Sequence, residues 1–150
     1  MADTAQLERF ATTEALFDRY HIGWETKDPE MVASLHSADT VFQLHDGSGP
    51  VVGRDALCEH CRALFATYDF SQIMGRRLHG ADYWTFDWTM ILSLALPGGS
   101  SFIAHVDMLD VVMVNPAGEV VSKHVYPDTA QMQAGFARAR VARWRSENAL

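Results

Sequence analysis

A chain of 150 residues, 48% hydrophobic and 21% charged, suits one folded domain with a sizeable core. Its net charge of −7 sets nucleic acid and anionic membrane surfaces aside as main partners, because both call for a cationic face. No apolar run approaches the ~20 residues of a membrane-spanning helix, and the opening MADTAQLERF lacks the basic start and apolar stretch of a secretory signal, so a cytoplasmic location is expected.

Phe10, Phe17, Tyr20 and Trp24 recur at helical spacing, which predicts a helix over about 6–26 with one buried stripe. Asp28-Pro29 then supplies an N-cap and a first-turn proline for a short second helix carrying Val32 and Leu35 inward. A strand is expected from Thr40 to His45, followed by the turn Asp46-Gly47-Ser48-Gly49-Pro50. A third helix, about 55–67, places Leu57, Cys61, Leu64 and Phe65 on its apolar side. Cys58 and Cys61 have half the spacing of a zinc site. No second Cys/His pair accompanies them, so they are read as core thiols and no metal is expected.

From Tyr83 the period changes to two. Trp84, Phe86, Trp88, Met90, Leu92 and Leu94 alternate with polar residues, the mark of a strand with one buried face. Pro97-Gly98-Gly99 ends it, and a second long strand is expected over 101–114. Asn115-Pro116-Ala117-Gly118 turns the chain into a returning strand, 119–126. Asp128 caps a last helix with Met132, Phe136 and Trp144 inward, and Arg138, Arg140, Arg143 and Arg145 suit its C-terminal dipole. Helices first and a long antiparallel meander second predict an α+β fold over residues 1–150.

A four-residue turn at 115–118 would pair 114 with 119, 112 with 121 and 110 with 123, placing Asp110 opposite Lys123. Their neighbours Val106, Met108, Val112, Val114, Val121 and Val125 are apolar, so the two charges are expected to form an inward ion pair. Either the pair only fixes register, or both charges reach solvent at the open end of the sheet, or the pair addresses a polar atom of a ligand. The opposite face mixes His105, Asp107, His124 and Tyr126 with aliphatics, a surface suited to a homodimer contact.

The element order, with WTM in a strand, DVVMVNPAGEVV before the last strand and KHVYPDT after it, resembles the SnoaL-like and ketosteroid-isomerase-like branch of the nuclear-transport-factor-2-like superfamily. The resemblance spans roughly residues 10–135 and implies a cone-shaped fold: N-terminal helices packed on a curved sheet, plus a C-terminal helix. It also implies a cofactor-independent isomerase, cyclase or dehydratase acting on a small apolar carbonyl or hydroxyl compound such as a steroid, polyketide or terpenoid. Tyr20 and Asp110 fall where the family's oxyanion-binding pair stands, and Asp128 resembles an acid/base residue of the cyclases. The family's early-strand carboxylate base has no counterpart in Phe42-Gln43-Leu44-His45. The same fold also serves non-catalytic binding or dimeric interaction modules.

The expected catalytic set is therefore Asp110, Tyr20, His45 and Lys123, with His45 moving the proton and Lys123 becoming the electrophile if it pairs with Asp110. Trp24, Trp88, Phe86 and Met108 are expected to line the ligand pocket, while His21, His60 and His79 join no constellation. Phosphate-cradling, zinc-protease and serine-hydrolase motifs are absent from the sequence.

Overall fold

The structure, a computed structural model, describes residues 12–147, with side chains to residue 140. Phe10, Arg143, Trp144 and Arg145 lie outside the described side chains. The helices are α1 (Thr13–Glu25), α2 (Pro29–Ser34), α3 (Arg54–Thr67) and α4 (Thr129–Glu147). The strands are β1 (His36–Leu44), β2 (Val51–Val52), β3 (Asp69–His79), β4 (Tyr83–Ala95), β5 (Ser101–Val114) and β6 (Val120–Pro127). They form one six-stranded sheet in the order β2-β1-β6-β5-β4-β3, antiparallel except where β1 runs parallel to β6. None of the described helices is long and apolar enough to cross a membrane.

Local signals act as the sequence suggests. Asp28 accepts a hydrogen bond from the Met31 amide and caps α2. Leu16, Phe17, Tyr20 and Trp24 bury the inner stripe of α1 against Trp84 and Phe86 of β4. Ala104 and Leu94 meet α4 at Gly135, so all four helices cover the sheet face on which the even-numbered residues of β4 and β5 are buried. Strand β3 was not apparent from the sequence. It is a sheet edge with a bulge between Met74 and Arg77 and mostly exposed side chains, so it carries no period-two pattern.

The β5–β6 register corrects the expected one. Asn115 pairs with Glu119 around a turn whose Gly118 adopts φ 75°, which moves the register by one residue. An irregularity between Met113 and Val114 moves it by one more. Lys123 therefore stands opposite Val112, and Asp110 opposite Val125. One shift alone would turn Lys123 to the outer face; two return it to the inner one. The price falls on Val121, which leaves the inner face while Val120 enters the core.

Candidate functional site

The charges meet diagonally across two strands. Lys123 Nζ lies 3.0 Å from Asp110 Oδ2, and the two side chains are only 3% and 1% exposed. The indole Nε1 of Trp88 donates to the other carboxylate oxygen at 2.9 Å, so Asp110 accepts on both oxygens. Lys123 Nζ also sits 4.2 Å from the Trp24 ring centroid and 5.1 Å from that of Tyr20.

Beside this pair opens a cavity of about 270 Å³. Trp24, Phe42, Trp88, Met90, Met108 and Val125 give it an apolar wall, and Met132 and Phe136 of α4 close one side. Lys123 lines the cavity and Asp110 stands behind it, outside the lining. The turn after β1 contributes Asp46, Ser48 and Gly49, and α3 contributes His60 and Leu64.

Trp24, Trp88 and Met108 thus border the cavity together with Lys123, whereas Asp110 and four other positions expected from the sequence lie outside its lining. Tyr20 is fully buried outside the lining, and its hydroxyl hydrogen-bonds His36 Nε2 at 2.9 Å. His36 Nδ1 in turn lies 2.8 Å from Thr40 Oγ1. This network occupies the tyrosine that was expected to face a substrate oxygen. His45 follows inward-facing Leu44 and so turns to the outer face, where its Nε2 lies 2.8 Å from His124 Nδ1 and its ring stacks on Tyr126. Phe86 is sealed under α1, edge-on to Phe17 and His21. Asp128 caps α4 through the Gln131 amide and lies outside the lining.

Burial and the Lys123 charge set the protonation of the surrounding groups. Desolvation first, then Lys123, lowers His36 from 6.5 to about 3, and the same two causes lower His21 to about 4. Burial raises the Tyr20 phenol well above its usual value and the Cys61 thiol to about 12. Cys61 is a core thiol as expected, while Cys58 is only half-buried.

The cavity histidine is His60, which the sequence reading set aside. The available signal was its place between Leu57 and Leu64, three and four residues away on the apolar stripe of α3. Its ring centroid is 5.3 Å from that of Phe42.

No family model matches the chain, and no curated protein matches it. Solved structures do resemble it. A protein from Shewanella denitrificans described as a SnoaL-like polyketide cyclase is 10% identical, with a TM-score of 0.72 over 83% of this chain and 96% of that one. A protein with a ketosteroid-isomerase-like fold from Catenulispora acidiphila, in complex with trimethylamine, is 15% identical, with a TM-score of 0.67 over 80% of this chain and 90% of that one. A ketosteroid-isomerase-like protein from Erwinia carotovora is 19% identical, with a TM-score of 0.58 over 81% and 97%. At such identities the likeness establishes fold.

Two outcomes follow from the site's electrostatics. Asp110→Asn leaves a buried ammonium unpaired and should cost about 3–5 kcal/mol. Adding Lys123→Met should recover most of that loss in urea titrations; equal loss in the double variant contradicts the pairing. His21 and His36 stay neutral when folded but take up protons when unfolded below pH 6.5. Their stabilising contribution is complete above that pH and is lost as pH falls toward about 4 and then 3. Thermal melts should show a Tm decline between pH 6.5 and 4 that His36→Gln makes shallower.

Proposed function

We propose that this chain, which has the nuclear-transport-factor-2-like fold shared with SnoaL-like and ketosteroid-isomerase-like proteins, is a cofactor-independent acid/base enzyme. Its substrate would be a small, largely apolar carbonyl compound, or a hydroxyl compound bearing one. The observation that carries this reading is the buried ion pair of which Lys123, and not Asp110, lines an apolar cavity.

A carbonyl oxygen beside Lys123 would find a donor fixed in a water-poor wall. As a neighbouring C–H bond loses its proton, negative charge builds on that oxygen, and a fixed cation stabilises the charge more than it stabilises the neutral ketone. Isomerisation, cyclisation by an enolate, and loss of a β-hydroxyl all share that step. Asp110 would act through Lys123, aiming the ammonium and balancing its charge; accepting on both oxygens, it has no hydrogen bond to give a substrate. Tyr20, held by His36, would shape the wall behind Lys123. Two free thiols, Cys58 and Cys61, suit the reducing cytoplasm.

The second reading is a ligand-holding dimeric module, supported by the outer sheet face. Ile73, Leu78, Ile103, Leu109, Met113 and Tyr126 are exposed there, an apolar surface of the kind that association covers. A homodimer through this face is compatible with either reading.

Thermal-shift screening against steroids, aromatic polyketides and terpenoids, followed by solvent-deuterium exchange into each hit, separates the two. The enzyme reading expects exchange or turnover, reduced about 10²–10³-fold in the Asp110→Asn/Lys123→Met double variant. Binding without exchange supports the module, and full activity in the double variant contradicts the role of Lys123. Sedimentation should show a dimer that Leu109→Arg converts to monomer; a monomeric wild type contradicts the interface.

A further inference from the structure

We infer that His60 is the proton-transfer group of the cavity, whose lining it shares with Asp46. This rests on the acid/base reading above and assigns the role that His45, on the outer face, cannot fill.

The placement comes from strand register. Phe42 of β1 is the partner of Lys123 of β6, so the two side chains stand side by side on the inner face. His60 reaches down from α3 onto the same phenyl ring, 5.3 Å between centroids and tilted by 46°. Trp24 stacks against the ring as well, at 6.4 Å and 23°. A cation and an imidazole therefore flank one aromatic side chain on a single wall. A planar ligand lying on Phe42 would present its oxygen to Lys123 and a nearby carbon to His60.

Elimination leads to the same residue. Among the described residues, the titratable groups lining the cavity are Asp46, His60, Tyr68 and Lys123. Lys123 is the cation, and Tyr68 packs toward α4, its ring centroid 5.9 Å from that of Phe136. Asp46 is exposed, and the Ser48 hydroxyl and amide hold its carboxyl below the ordinary range, which makes it a poor base. His60 is half-buried, and desolvation lowers it from 6.5, so it enters the reaction neutral, while the Asp46 charge favours the imidazolium that forms. On its own helix, Glu59 and Arg62 pair with each other in solvent, and Cys61 is buried beneath.

In the step itself an imidazole nitrogen of His60 takes a proton from the carbon next to the carbonyl. The C–H electron pair moves into a C=C bond, and the carbonyl oxygen becomes the enolate oxygen beside Lys123. Return of the proton to a different carbon gives the isomer and restores neutral His60.

The ring opening of 5-nitrobenzisoxazole tests this without the natural substrate. A base removes its C3 proton, the C–H pair completes a nitrile, the N–O bond breaks, and the charge ends on a phenolate oxygen. The wild-type second-order rate constant should exceed that of free imidazole. It should rise with pH through an inflection below 6.5. His60→Gln should reduce it about 100-fold or more and remove the inflection, while quenching of tryptophan fluorescence shows that the probe still binds. Asp46→Asn should move the inflection to lower pH, a change that a purely structural role would not produce. Retention of rate and inflection in His60→Gln, or a wild-type rate no greater than that of imidazole, overturns the assignment. The Asp110→Asn/Lys123→Met variant separates the two readings. Loss there with His60→Gln unchanged refutes His60 alone. Loss in His60→Gln with the double variant unchanged upholds His60 and refutes Lys123 as the oxyanion's partner.

Discussion

The arrangement depends on one buried ion pair. Transferring an ammonium and a carboxylate out of water costs several kcal/mol per ion, and mutual attraction offsets this only with good geometry and further hydrogen bonds. Both conditions are met: the pair is 3.0 Å long, and Trp88 takes the remaining carboxylate oxygen. Apolar residues of similar size would hold the sheet together as well or better, so stability alone does not explain two charges in this place. What they supply is a cation held in one place, seated against Trp24 in the lining of an apolar hollow.

The surroundings keep that cation alone. Its field, added to burial, holds His36 and His21 neutral through the physiological range, so no second positive charge forms beside it. The Tyr20–His36–Thr40 network then satisfies its polar groups without water. The back wall therefore combines neutral groups with one ion pair whose formal charges cancel, and the Trp24 Nε1 and His21 Nε2 in it have no hydrogen-bond partner. Such a site favours a neutral ligand that gains charge during reaction over one that arrives charged.

Much of the fold was legible because its signals are local: the capped start of α2, the alternation of β4 and the Pro-Gly break before β5. Inward placement of Asp110 and Lys123 was also legible, since face is a matter of parity. Their direct opposition was not, because the turn and the β5–β6 irregularity each displaced the register by one residue and left the parity intact. Strand β3 was missed because an exposed edge buries too little to show a pattern. The site was harder still. Tyr20 was expected to face a substrate oxygen, but its hydroxyl's partner His36 lies on a strand that begins four residues before the Thr40 start read from the sequence. His45 was expected to move the proton, whereas the parallel β1–β6 pairing sets Leu44 beside inward Val125 and so turns His45 to the outer face. His60 was overlooked between two cysteines, although its helical spacing put it on the cavity side.

The central claim is that Asp110 presents the Lys123 ammonium to a neutral oxygen in the cavity. Infrared difference spectroscopy of bound 2-acetylnaphthalene reads that contact directly. A carbonyl band moved to lower wavenumber in the wild-type protein, and returned to its apolar-solvent position in the Asp110→Asn/Lys123→Met variant, is the predicted result. An unshifted band in the wild type, or the same shift in both proteins, would contradict it.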